Sequence, residues 1–231
     1  MDTLFEGLIE ALHLLISLDP QVLEIIIRSL QVTGTALVFS IIIGVPLGTV
    51  MGMVDFPGKK IATALLYTGM GFPPVVIGLF VFILFSASGP FGQLGWLFTT
   101  RAIVVAQTIL ALPLVTSFVM TSVMSVDDNL IIQMRALGAS KKQLYWAVVK
   151  EARLGAVVAI AAGFGAVISE VGAVMLVGGN IEGKTRVLTT AIMLETRQGR
   201  FGLALALGII LLAIAFITNM IMMKFQHREI K

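Results

Sequence analysis

The chain has 231 residues, 58% of them hydrophobic and 13% charged, with a net charge of +3. A soluble domain of this size carries about a quarter charged residues, so the composition excludes a water-soluble fold and calls for a bilayer. The basic residues gather at the ends of apolar runs, which speaks for membrane topology and against nucleic acid; with no cysteine and only the distant His13 and His227, no metal site is expected.

In chain order, residues 4–18 come first. Leu4, Leu8, Ala11, Leu12, Leu15 and Ile16 recur at helical spacing, interrupted by Glu6, Glu10 and His13. This pattern predicts an amphipathic helix lying in the membrane interface. Five uncharged runs follow, at about 30–54, 61–86, 102–124, 155–178 and 202–223, each near the length of a helical bilayer crossing. Together they predict an all-α integral membrane protein with five transmembrane helices, organised as one domain over residues 1–231.

The second run contains Gly71-Phe72-Pro73-Pro74, which must kink or break a helix. A broken span is tolerated only where protein or a water-lined cavity covers the freed backbone. Pro73 and Pro74 are therefore candidates for the wall of a pathway, beside the simpler reading of a kink inside a packed helix. In the first run, Gly44-Val45-Pro46-Leu47-Gly48 supplies small residues suited to close helix packing.

A polar segment at about 125–154 separates the third and fourth runs. Its centre, Gln133-Met134-Arg135-Ala136-Leu137-Gly138-Ala139-Ser140, is a cationic helix-forming stretch with one Gly, continued by Lys141 and Lys142. An exposed helix of this kind suits the groove of another protein. With five spans, one side holds ten basic residues and the other six. The richer side carries this segment and the C-terminal tail, so it is expected in the cytoplasm, with the N-terminus outside.

Glu170 is an acid inside the fourth run, costly there unless paired or facing water. It reads either as part of a pathway wall or as a hydrogen-bonded clamp between helices. Residues Gly178 to Thr185 satisfy G-x-x-x-x-G-K-T, a phosphate-loop pattern. That pattern has meaning between a strand and a helix of an α/β fold, and here it follows an apolar run, so the match reads as accidental. A Gly-rich turn with free N–H groups beside Lys184 and Arg186 still suits an oxyanion, and equally a solvated outer turn.

The segment around Ala136-Leu137-Gly138-Ala139 resembles the cytoplasmic coupling motif of ABC importer permeases. Ile132-Gln133-Met134 stands where that motif has its EAA triplet, and the later Leu-Pro is absent. Ser169-Glu170-Val171-Gly172-Ala173, Arg186 to Ile192, Phe72 to Leu79 and Gly44 to Gly48 resemble the permeases of the molybdate, sulfate and tungstate group, most of all the tungstate branch. The resemblance implies a type I ABC importer permease fold and a homodimer in the cell inner membrane, surrounded by lipid. It also implies a cytoplasmic ATP-binding subunit docked on Gln133–Ser140, and an extracellular or periplasmic oxyanion-binding protein. ATP and Mg would be bound by the partner; no cofactor and no catalytic residue is expected in this chain. Ser169, Glu170, Asn180, Thr185 and Thr189 join Pro73 and Pro74 as candidates for the translocation pathway. The alternatives are a molybdate or sulfate permease of the same group or, from other classes, a phosphate-loop membrane nucleotidase or a channel.

Overall fold

The computed structural model describes residues 5, 9, 12–14, 16, 17 and 19–228. Most of the expected interfacial helix over 4–18 lies outside the described residues; of its apolar stripe, Leu12 and Ile16 are described, and both are helical and exposed.

Ten α-helices carry the described chain: α1 (Pro20–Met53), α2 (Lys59–Met70), α3 (Pro74–Phe85), α4 (Thr100–Met124), α5 (Asp128–Ala136), α6 (Lys141–Glu151), α7 (Arg153–Ile168), α8 (Gly172–Gly178), α9 (Leu188–Arg197) and α10 (Phe201–Arg228). Among the described residues there is no strand. α1, α4 and α10 are each long and apolar enough to cross a bilayer; with each of the bent pairs α2–α3 and α6–α7 taken as one span, the count is five. On that count the number of crossings agrees with the five expected, but two of the expected boundaries differ.

The first correction is at α1, which begins ten residues before the uncharged run. Asp19 caps it, accepting the N–H groups of Gln21 and Val22 at 3.0 Å each, and Pro20 sits where its missing N–H costs nothing. Glu24 and Arg28 fall inside the helix and neutralise one another one turn apart. The second correction is at 155–178. This run is not one helix, because α7 ends at Ile168 and α8 restarts at Gly172. The crossing that satisfies length and composition pairs α7 with α6 across a 59° bend at Ala152.

α4 is the hub, contacting α1, α2, α3, α6, α7 and α8. Its contact with α1 is the most extensive in the structure. A Cβ added to Gly48 would lie 2.5 Å from the Thr116 carbonyl oxygen, and one on Gly52 would lie 2.5 Å from Val123 Cγ1. Two apolar helices approach this closely only where small residues let backbone meet backbone. The core divides into three clusters: α3, α4 and α8 around Ile103 and Val174; α1, α4 and α7 around Val115 and Phe164; and α1, α9 and α10 around Leu188 and Ile210. At the turn into α10, Arg200 Nε donates to the buried Glu195 at 2.5 Å; this hydrogen bond, helped by the carboxylate charge, raises the guanidinium pKa above its ordinary value.

Candidate functional site

Two features stand out: the α5–α6 segment, and a cluster of helix breaks inside the bundle. α5 starts on Asp127, whose side chain accepts the Asn129 N–H at 2.9 Å. It ends in a left-handed turn at Gly138, with φ +77°. Gly138 N–H donates to Arg135 O and Ala139 N–H to Met134 O, both at 3.0 Å. This pair of bonds satisfies the last carbonyls of a helix and favours Gly at the left-handed turn. Ser140 then opens α6 through a reciprocal cap with Gln143.

α5 buries none of its residues, and Leu137 beyond its end is 86% exposed. Ile132 is exposed as well, so two large apolar side chains stand out on an otherwise polar surface. α6 is fixed: Leu144 and Val148 are buried, and Val148 packs in the cluster shared by α1, α4 and α7. Gln133, Arg135, Ala136, Leu137, Gly138 and Ser140 are exposed, with Met134 and Ala139 half-buried. A Cβ on Gly138 would meet nothing within 4 Å, so its freedom serves the turn and not close packing within this chain.

The second feature begins where α2 and α3 meet at 100°. Pro73 holds extended backbone ahead of α3 and Pro74 is its first residue. The break between α7 and α8 lies against it. A Cβ on Gly172 would come within 2.6 Å of Val75 Cγ2, and one on Gly78 within 2.6 Å of Ala173 Cα. The first turns of α3 and α8 thus touch, and both restarts share one level of the bundle.

The freed backbone at the second break is satisfied by three side chains. Glu170 Oε1 accepts the Ala173 N–H at 3.0 Å and so caps α8. Gln107 Nε2, from α4, donates to Val167 O at 2.9 Å at the end of α7. Thr189 Oγ1, from α9, donates to Glu170 O at 2.8 Å. Among the described residues, the Glu170 carboxylate thus bonds only three residues along its own chain, and the bond that reaches this break from α9 goes to its backbone carbonyl. Ser169 is exposed at the break, with its hydroxyl turned back on Gly165 O at 2.8 Å. Gln107 was not among the expected residues. Its signal in the sequence was that of an amide in an otherwise apolar run.

The Gly178–Thr185 stretch joins α8 to the loop before α9 and has no strand before it. The N–H groups of Lys184, Thr185 and Arg186 all converge on Ile181 O, and that of Ile181 is taken by the Thr185 hydroxyl. Thr185 is fully buried, its hydroxyl donating to Gly178 O and accepting from Ile181 N–H. Asn180 takes a left-handed conformation at φ +51° and leaves its Oδ1 buried without a partner. The structure therefore gathers Pro73, Pro74, Ser169, Glu170 and Thr189 around the two breaks, with Asn180 and Thr185 in the neighbouring loop.

This architecture is that of ABC importer permeases. The chain superposes on the MetNI methionine ABC transporter in an inward-facing conformation with a TM-score of 0.73, at 18% identity, covering 87% of this chain and 92% of that one. In sequence it is 43% identical over 205 residues to a probable anion ABC transporter permease protein of Haloferax volcanii, covering 87% of this chain and 88% of the relative. It is 36% identical over 227 residues to the tungstate uptake system permease protein of Peptoclostridium acidaminophilum, covering 98% of this chain and all of that one. Residues 44–231 match the family of binding-protein-dependent transport system inner membrane components, and the chain belongs to that family.

Proposed function

We propose that this chain is the membrane-crossing subunit of an ATP-driven importer for a tetrahedral oxyanion, tungstate foremost, working as a homodimer. The observation that carries the substrate is the full-length similarity to a tungstate uptake permease. The exposed, apolar-tipped α5–α6 segment supports the drive, since it offers a docking face on elements rooted in the bundle. By the balance of basic residues, this face lies in the cytoplasm and the N-terminus outside.

The mechanism follows from the packing. An ATP-binding subunit seated on Gln133–Ser140 pushes α5 and, through the Ser140 cap, α6. Buried Leu144 and Val148 pass the movement to α4 and α7, whose far end is the break at Ser169–Val171. Packed helices respond by switching between discrete arrangements rather than by bending continuously. The paired breaks are the points where the bundle opens to one side or the other. ATP is spent by the partner; this chain carries the anion.

Glu170 would repel a dianion if its carboxylate stood bare on the path. Occupied by the Ala173 N–H, it serves as the clamp that shapes the wall. Ser169 and the extended backbone at Pro73 form that wall, with Pro74 starting the helix behind it and Asn180 near the outer mouth. Thr185 and Thr189 hold the wall through hydroxyls already engaged.

The test is uptake into proteoliposomes of labelled tungstate, with ATP supplied to the ATP-binding subunit and the binding protein present on the opposite face. Uptake competed by tungstate well ahead of molybdate and sulfate supports the assignment. Uptake of molybdate or sulfate in preference reassigns the substrate within the group.

A further inference from the structure

A groove of about 740 Å³ runs between α1 and α4. Thr35, Phe39 and Ile43 line it from one side, Val104 and Thr108 from the other. Its wall is mostly apolar: Thr108 spends its hydroxyl on Val104 O at 2.7 Å, and the other uncharged polar side chains on it are Gln31, Thr35 and Thr100. On α1 the lining runs from position 31 to position 43, about 18 Å at 1.5 Å per residue. That is close to the depth of one leaflet, half of a hydrocarbon core about 30 Å thick.

One end of the groove is different in character. Trp96 and Arg101 close it, with the guanidinium 5.7 Å from the centre of the indole ring. Arg101 is exposed and, among the described residues, has no carboxylate partner. It lies in the first turn of α4, where the helix dipole disfavours a cation, so helix stability does not account for it. Trp is the residue that settles at headgroup level. An apolar channel of leaflet depth, ending in an uncompensated cation beside an interfacial aromatic, has the shape and charge of one class of ligand.

We propose that this groove binds an anionic phospholipid, one acyl chain along α1 and α4 and the phosphate on Arg101. A protein segment in the same place would have to bring its own anion to Arg101, whereas the membrane supplies one at that height. The proposal rests on the chain's membrane placement and not on the nature of its substrate.

The chain's two tryptophans, Trp96 and Trp146, make the test direct. In a Trp146→Phe variant, Trp96 alone reports on the groove. The protein is reconstituted in phosphatidylcholine vesicles containing increasing fractions of acyl-brominated phosphatidylglycerol or acyl-brominated phosphatidylcholine. Brominated phosphatidylglycerol is expected to quench Trp96 at a mole fraction about five-fold lower, the preference that one near-surface cation confers. Arg101→Gln should abolish the preference and Arg101→Lys keep most of it. Arg197→Gln, which removes an exposed charge far along the chain, should leave it unchanged. Equal quenching by the two lipids, or a preference that survives Arg101→Gln, would overturn the proposal. So would a Trp96 that neither lipid reaches, since a protein segment then covers the groove. Transport is not part of the readout, so this outcome is independent of the substrate assignment.

Discussion

The carboxylate of Glu170 accepts the backbone N–H of Ala173 at 3.0 Å, so an acid within an apolar run serves as the cap of the helix that restarts after it. An amide oxygen can accept the same bond. Glu170→Gln should therefore fold and transport nearly as the parent does, while Glu170→Ala loses the cap at a cost of about 0.5–2 kcal/mol. Thermal unfolding in detergent, set beside uptake rates, separates the two. A Gln variant that is stable yet inactive would show that the charge itself is needed.

Gly78 and Ala173 bring backbone against backbone where the two restarted helices cross. A Cβ at Gly78 falls 2.6 Å from Ala173 Cα, a backbone atom that rotamer changes cannot move. Gly78→Val should destabilise by about 1–3 kcal/mol through overpacking. Ala173→Gly should not rescue it, because the obstructing atom remains. Gly165, in α7, is the control: a Cβ there meets nothing within 4 Å, so Gly165→Ala should be neutral or stabilising by up to about 1 kcal/mol. Melting temperatures of the three variants and the double mutant decide the matter.

Gly138 behaves differently from Gly78, since its demand is on φ and not on space. Gly138→Ala should cost about 1–2 kcal/mol locally, the penalty of a left-handed Cβ residue, with Gly138→Asn tolerated better. On the proposed mechanism, the strain appears as weakened pull-down of the ATP-binding subunit and slower uptake, while the melting of the isolated chain barely shifts. Equal pull-down by parent, Ala and Asn variants would remove Gly138 from the docking argument.

Gln107 and Val167 are joined across two helices at 2.9 Å, and the Gln107 side chain is buried. Gln107→Leu leaves the Val167 carbonyl without this donor and should cost about 1–3 kcal/mol. This is the residue that the sequence hid best. A lone amide in an apolar helix signals a polar partner without naming it, and the partner is 60 positions away. The Pro73-Pro74 break was legible because proline cannot continue a helix; the stretch Gln133–Ser140, read as one helix-forming segment, instead leaves the helix after Ala136 and turns at Gly138. The break at Ser169–Val171 carries no proline; it exists because Glu170, Gln107 and Thr189 satisfy the interrupted backbone, which is a fact of the tertiary structure. The early start of α1 was missed for a related reason: Glu24 and Arg28 interrupt the apolar run in the sequence, yet one helical turn brings them together as a pair.

Lys184 sits in a loop whose neighbouring N–H groups are committed to Ile181 O. Lys184→Ala should therefore leave ATP-driven uptake and the assembled complex's ATP hydrolysis unchanged, and the isolated chain should not bind ATP in equilibrium dialysis. Specific ATP binding that Lys184→Ala abolishes would restore the phosphate-loop reading of Gly178–Thr185.

The most direct measurement follows tungstate accumulation and ATP hydrolysis together in proteoliposomes holding this chain, its ATP-binding subunit and the binding protein. Concentrative uptake should proceed with hydrolysis and stop when any one component is left out. Downhill tungstate flux through this chain alone, with no ATP-binding subunit present, would make it a channel and contradict the account.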